Sequence, residues 1–507
     1  MTLIDTLQQM DSWPHDVAEI QVIDTHISWV ILTGEYAYKI KKPVDFGFLN
    51  FTTLEQRKHF CEEELRLNQR LAPDIYLEVV GINQGENGIS IGEVGENTLE
   101  YAVKMRQFAQ NQRLDQLLQG QRFELHWIDD LAEQIAEFHQ NVPIVGPDSP
   151  WGEPDTLWEV VADNYRHLLN VLGEGPERTQ VESLYAHAKD SFQQLQDTLA
   201  LRKAQGHVRE CHGDLHLGNI TLHEDALRLF DCIEFNLQFR WIDTLSDMAF
   251  LLMDIEANGQ PRWANRCINL YLEQGGDYEG LRLLNFYKSY RAMVRAKVAT
   301  LGPVHDLPQL QHYLDLTQTY ATPQTPQLLL MHGVSGTGKS YLSQLLLDHT
   351  GVIRVRSDVE RKRIFRELSL KGEKLDMYGA EMNVRTHNAL IDLTRVLLTA
   401  GYSVVVDATF IRQRARNEFR KLAESLAVET RIIACECDPK LVRARLNKRV
   451  AEGTDASDAD VSVMEAQLDF LQPITEEEEA ITVTVDTDND EAVNRLIKAL
   501  DYPQARG

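Results

Sequence analysis

One octapeptide in the second half of this chain restricts its fold more than any other feature. Gly333-Val334-Ser335-Gly336-Thr337-Gly338-Lys339-Ser340 fits GxxxxGK[ST]. It follows the apolar run LLLMH and precedes the amphipathic stretch YLSQLLLDH, the strand-then-helix setting that a phosphate cradle requires. Glycines let successive amides curl around phosphate oxygens, and the helix that starts there turns its positive end toward the anion. The spacing predicts Gly333, Ser335, Gly336, Thr337 and Gly338 as the cradle, Lys339 as the catalytic cation on the β and γ phosphates, and Ser340 as a magnesium ligand. ATP with Mg2+ is therefore the expected cofactor. A plain glycine turn with a surface lysine would explain the octapeptide but not its flanks.

The residues that follow repeat strand, loop and helix. LLLMH, VIRVRS, YSVVVD, RIIACEC and ITVTVD are short β-rich runs between helical stretches, the pattern of a doubly wound parallel sheet with ligands beyond the carboxyl ends of its strands. Gly333, Asp358 and Asp407 all follow such ends. In mechanical ATPases of the AAA type the strand carrying the magnesium aspartate usually ends Asp-Glu. Here Val406-Asp407-Ala408 has no such Glu, so Asp407 is expected to hold metal and transfer to an acceptor is favoured over hydrolysis. Asp358 precedes Arg361 by one helical turn; one can orient an acceptor hydroxyl while the other holds a phosphate, or Asp358 simply caps the helix ERKRIF. Arg443, Arg445, Lys448 and Arg449 crowd one helix, with Arg445 and Arg449 spaced to face one ligand, and residues 450–460 (AEGTDASDADV) read as a flexible acidic stretch, together a mobile lid. On GVSGTGKS, SDVER, VVVDATF and RARLNKR, residues 327–507 resemble small-molecule or polynucleotide-kinase-like P-loop kinases, the group that includes zeta-toxin-like kinases. That resemblance implies Asp358 as base toward the acceptor hydroxyl and Arg361 as the group binding an acceptor phosphate.

Ahead of this half, TQTYATPQTPQ (317–327) breaks the apolar period with Pro323 and Pro326 and reads as a linker. ISWVIL and YAYKIKK form a hairpin about Thr33-Gly34-Glu35, residues 53–72 a helix and YAVKMRQF a further strand; later segments are mostly helical. The expected architecture is α+β and bilobal, a small lobe of about 1–108 and a large helical lobe of about 109–318, followed by the α/β domain at 327–507. Cys211–Asn219 contains HxDxxxxN, and Asp231 follows twelve residues later at the end of ALRLF. In that spacing Asp214 takes the acceptor's proton while Asn219 and Asp231 converge on magnesium. Lys39 lies where a phosphate-binding lysine belongs, although Lys41 shares its face; Glu64 falls on the apolar side of its helix and calls for a cation, with Glu63 as the fallback within a run of three glutamates.

This half resembles the aminoglycoside and choline kinase branch of the protein-kinase-like fold over residues 20–300, on CHGDLHLGNI, LFDCIEFN, FHQNVP and DTLSDMAFL. The resemblance implies a Lys39–Glu64 ion pair, Asp214 as base, Asn219 and Asp231 as metal ligands, and Asp247 as a brace for the catalytic loop. It departs from the pattern in lacking a glycine-rich phosphate loop, with only Gly34 in place, and in reading DCI for DFG. The order of the two halves resembles a bacterial family of fused proteins, and implies a phosphotransferase with two kinase sites.

Charge and cysteine usage bound the partners. Lys plus Arg number 51 and Asp plus Glu 77, a formal net charge of −26, so long nucleic acid is disfavoured as a partner and a small-molecule or nucleotide acceptor is expected. Six cysteines with no CxxC pair predict a reducing compartment and no zinc site. No apolar run nears the roughly 20 residues of a bilayer span, and MTLIDTLQQMDSWPHD lacks a leader pattern, so a cytoplasmic protein without membrane partners is expected. The charge run Glu476–Glu479 reads as a solvated turn or helix start. Two other functions remain open at this level: a nucleotide-sensing regulator with a pseudokinase first half, and a kinase of RNA ends.

Overall fold

The computed structural model describes residues 3–8, 13–47, 49–85, 88–302, 304–452, 457–489, 491 and 494–496. They divide into two compact units, one drawn from 1–127, 141–163 and 192–254, the other from 128–140, 164–191 and 255–507.

In the first unit, β1 (Gln21–Asp24), β2 (Ser28–Leu32), β3 (Tyr36–Lys41), β4 (Tyr76–Gly85), β5 (Gly88–Gly92) and β6 (Thr98–Arg106) form one antiparallel sheet in the order β1-β2-β3-β6-β4-β5. The hairpin β2–β3 and strand β6 stand where the apolar alternation placed them. β5, with sequence GISIG, has low strand propensity and is held by its pairing with β4. Alternation divides the sheet's two faces. Ile31, Tyr38, Ile40, Val80 and Ile82 pack on one. Ala37, Val103 and Met105 pack on the other with Cys61 of the helix Leu54–Asn68. Lys39 and Lys41, in step with Ala37, therefore face that helix. A short pair, β7 (Val208–Glu210) with β10 (Trp241–Asp243), and the hairpin β8 (Ile220–His223) with β9 (Ala226–Leu229) frame the segment 211–219.

In the second unit, β11 (Gln327–His332), β12 (Ile353–Arg356), β13 (Val404–Asp407), β14 (Glu429–Glu436) and β15 (Thr482–Asp486) make a five-stranded parallel sheet ordered β12-β13-β11-β14-β15. Its central strands are buried on both faces, which is why they read as unbroken apolar runs. Leu329 and Met331 of β11 pack with Leu342 and Leu346 of the helix Lys339–Thr350, and that core pins the loop between them. The helices Pro261–Gly275, Leu281–Val298 and Leu307–Ala321, which precede the linker, belong to this same unit. Among the described residues no helix is long and apolar enough to cross a membrane.

The expectation of a solvated helix start at Glu476–Glu479 holds for three of its glutamates, which are exposed, and needs correction at Glu478. The run does start a helix, on a capping box with Thr475, but Glu478 is fully buried against Arg416, itself fully buried, at 2.8 Å. A carboxylate buried beside a guanidinium keeps its charge, and here the pairing holds Glu478 below the ordinary carboxylate range against the opposing effect of burial.

Candidate active sites

In the first unit the two candidate lysines are both used. Lys39 Nζ lies 2.7 Å from Glu64 Oε1 and 2.6 Å from Asp231 Oδ1. Lys41 Nζ lies 2.8 Å from Glu64 Oε2 and also meets Glu234. Glu63 turns away to Arg66 and Arg240, at 2.9 and 3.0 Å. Burial pushes the Glu64 carboxyl up, but the two ammonium groups overcome it and hold it at about 2. Burial pulls Lys39 down, and Asp231 and Glu64 together keep it well above its ordinary value, so the pair is ionised. Among Lys39, Lys41, Glu64, Asp231 and Glu234 the carboxyl groups outnumber the ammonium groups by one. The surplus lies toward Asp231, whose side chain is 44% exposed, so these residues suit a bound cation.

The segment 211–219 is held by backbone bonds to distant carboxylates. Asp247 accepts from the amides of His212 and Gly213, each at 2.9 Å, and Asp254 accepts from the Leu217 amide at 2.9 Å. Gly213 is required here: its φ is +88° and a Cβ would stand 2.7 Å from the Phe239 carbonyl. Asn219 Nδ2 donates to the carbonyl of Asp214 at 3.0 Å and to its Oδ2 at 2.9 Å, which fixes the carboxylate of Asp214. The register Ile220↔Leu229 places Asn219, just before β8, and Asp231, just beyond β9, at one end of the hairpin. Asp231 sits in the left-handed region with φ +63°, and its amide donates to Tyr76 Oη at 3.2 Å. A non-glycine residue in that conformation costs about 1–3 kcal/mol, least for Asn and Asp. At the hairpin turn that stands in for a glycine-rich loop, Gln107 Oε1 accepts from the amides of Thr33 and Gly34 at 3.0 and 2.9 Å.

In the second unit the loop after β11 has the form of an anion cradle. Gly336 and Gly338 have φ of +87° and +92°, and a Cβ on either would stand 2.9 Å from side chains of Val442 and Leu446 or of Thr487. Lys339 Nζ donates to Val334 O at 2.8 Å, and burial pushes its ammonium below the ordinary value while Asp407 and Asp358 oppose that shift. A buried ammonium in a glycine-bearing loop at a helix N-terminus fits a polyphosphate. The Ser335 amide donates to Gln467 Oε1 at 2.7 Å, and Thr337 Oγ1 to Val334 O at 2.9 Å. Asp407, buried at the end of β13, accepts from Ser343 Oγ at 3.3 Å and has Arg356 Nε at 3.7 Å. Ser340 lies in the first turn of Lys339–Thr350, so an oxygen donor set for magnesium is available from Ser340 and Asp407.

Asp358 lies inside the first turn of the helix Ser357–Leu370, whose N-cap is Arg356. Arg361 donates to Asn383 Oδ1 at 2.7 Å and to Met377 O at 3.2 Å, with its guanidinium over the Tyr378 ring at 5.6 Å. Arg445 and Arg449 diverge: Arg445 is engaged by Thr487 and Asp488 at 3.1 and 3.0 Å, whereas Arg449 reaches Ala459 O at 2.6 Å and acts on Lys339 through its charge. Of the acidic stretch 450–460, residues 453–456 lie outside the described residues. Asp458 beyond them pairs with Lys362 at 2.9 Å and accepts from Tyr378 Oη. Sequence reading passed over Gln467, Asn383, Asp254 and Glu234. Only Asp254 carried a signal, two helical turns after Asp247 on the same face.

Comparison with known proteins finds two family domains along the chain. Residues 61–284 match the family model described as phosphotransferase enzyme family, and residues 328–474 match that of an AAA domain. Uncharacterized proteins of Mycobacterium tuberculosis (strain H37Rv) and Mycobacterium bovis are each 30% identical over 454 residues, covering 86% of this chain and 88% of theirs. Among solved structures, a choline/ethanolamine kinase family protein from Mesorhizobium loti is 12% identical, over 63% of this chain and 95% of that one, with a TM-score of 0.39. The Mycobacterium tuberculosis APS kinase is 18% identical, over 35% of this chain and 99% of that one, with a TM-score of 0.27. The chain belongs to the family of those mycobacterial proteins, and within it a phosphotransferase-enzyme-family domain is followed by a kinase-like P-loop domain.

Proposed function

We propose that this protein is an ATP- and Mg2+-dependent phosphotransferase with two separate sites, each moving the γ-phosphoryl group to a hydroxyl of a small molecule or nucleotide. The observation that carries the reading is a recurrence: in each unit a lysine is set among carboxylates, Lys39 in ion pairs with Glu64 of the helix Leu54–Asn68 and with Asp231 beyond β9, and the buried Lys339 within the field of Asp407 at the end of β13. In the first site Asp214, oriented by Asn219, takes the proton of the attacking hydroxyl, and Lys39, held by Glu64, steadies the phosphates. Asn219 and Asp231 hold the metal there; Ser340 and Asp407 hold it in the second. Magnesium, when bound, supplies neutralisation of the charge on the phosphate oxygens. In the second site the loop 333–340 and Lys339 hold the triphosphate, Asp358 takes the acceptor's proton, Arg361 binds the acceptor, and Arg445 and Arg449 supply positive charge to the phosphoryl group in transfer. A cytoplasmic location accompanies this reading, supported by six cysteines that are all free thiols.

The test is transfer of label from γ-labelled ATP to a panel of hydroxyl metabolites by the full chain. Asp214→Ala and Lys339→Ala should each lower its own site's activity by about a hundredfold or more and spare the other. A single change that abolishes all transfer refutes the two-site reading. A second reading, in which the first half binds nucleotide without transferring it, is favoured by Gln107 filling the turn amides of Thr33 and Gly34. Label reaching an acceptor in Lys339→Ala protein excludes it.

A further inference from the structure

The helix Pro261–Gly275 precedes the linker and falls within the segment matched by the phosphotransferase family, yet its polar side chains complete the parallel sheet. β12 is that sheet's outer strand, and an outer strand leaves amides and carbonyls unpaired. Asn269, fully buried, serves both: its Oδ1 accepts from the Arg354 amide at 2.7 Å and its Nδ2 donates to Val352 O at 3.2 Å. One turn further along the helix, Glu273 lies 2.7 Å from the Arg354 guanidinium and 3.6 Å from that of Arg356. Arg356 Nε is in turn 3.7 Å from Asp407 Oδ2. Alternation along β12 puts both arginines on one face, and the parallel register sets Arg356 beside Asp407. The four groups are neutral as a set, 2 − 2 = 0, with Arg356 nearly equidistant from two carboxylates.

We propose that Glu273 is a positioning residue for the metal at the P-loop site. By drawing on Arg356 it keeps the charge of Asp407 available to Mg2+, and it thereby ties that site's metal affinity to the placement of a helix from the other half of the sequence. The proposal rests on the reading of Asp407 as a metal ligand. When Glu273 loses its charge, Arg356 shifts toward Asp407 and competes with the incoming cation. At the 3.7 Å that separates Arg356 from Asp407, a modest approach of the guanidinium changes the field at the carboxylate enough for about a tenfold effect on cation binding.

The experiment uses the full chain carrying Lys39→Met, so that the P-loop site alone responds. ATP binding is measured calorimetrically across a series of Mg2+ concentrations. Glu273→Gln should raise the Mg2+ concentration for half-maximal ATP binding about tenfold, leave Mg2+-free ATP binding within twofold, and recover in part with Glu273→Asp. Arg356→Gln should lower the Mg2+ requirement, and adding Glu273→Gln to it should have no further effect, an outcome that a merely structural role would not produce. An unchanged Mg2+ requirement in Glu273→Gln, or a shift of the same size in the Arg356→Gln background, overturns the proposal. Should Glu273→Gln not fold, Arg356→Gln decides alone, and an unchanged or higher Mg2+ requirement overturns it. Asp407→Asn separates the two levels: a wild-type Mg2+ requirement there overturns the metal-ligand reading, and the positioning role with it.

Discussion

Glu64→Gln is the perturbation with the most readable consequence. The carboxylate is fully buried between Lys39 and Lys41 and held at about 2, against an ordinary value of 4.5. The gap between those two values corresponds to about 3 kcal/mol of stability. It agrees with the lower end of the roughly 3–5 kcal/mol lost when one partner of a buried pair is removed. The lower end is expected, because Lys39 keeps Asp231 and Lys41 keeps Glu234. The sign follows from the depressed value. The unfolded chain binds the proton more readily, so the contribution is complete above about pH 4.5 and declines as pH falls toward about 2. About 1 kcal/mol should be gone at pH 4 and about 2 at pH 3. Thermal unfolding of wild type and Glu64→Gln across this range is the assay. At pH 7 the variant should melt about 6–12 °C lower for a unit of this size, and the gap should narrow below pH 4.5. A gap that does not change with pH would refute the claim that the penalty is electrostatic.

Asp247→Ala removes the acceptor of two loop amides and should cost about 2–6 kcal/mol by thermal unfolding, with Asp247→Asn, which keeps one acceptor, losing roughly half as much. Gly336→Ala sets a Cβ 2.9 Å from Val442 and Leu446 at a left-handed φ; ATP titration in the Lys39→Met background should show weakened binding at the P-loop site while that variant's first unit melts unchanged. Arg416→Met strands the buried Glu478 and should destabilise by about 3–5 kcal/mol, most of it recovered in Arg416→Met/Glu478→Met, as read by denaturant unfolding.

What sequence could reveal divides by distance along the chain. The parallel sheet was legible because its central strands β11 and β13 are buried on both faces and each is followed by a helix, so period and loop chemistry coincide at Gly333–Ser340. Alternation along β3 placed Lys39 and Lys41 on one face but did not choose between them, because a carboxylate has two oxygens and Glu64 takes a lysine on each. Glu478 read as solvated along with its three neighbours because its countercharge, Arg416, lies some sixty residues earlier. Asn269 and Glu273 had no signal at all: on their own helix they are ordinary polar residues, and their meaning comes from a strand about eighty residues downstream. Local pattern reveals which face a residue shows, and long-range pairing decides what that face meets.

Nucleotide stoichiometry tests the two-site claim most directly, since it needs no knowledge of the acceptor. Calorimetry of the full chain with ATP and Mg2+ should give two nucleotides per chain, one after Lys39→Met, one after Lys339→Met, and none in the double variant. A single nucleotide in the wild-type chain, or either single substitution emptying both sites, would contradict it.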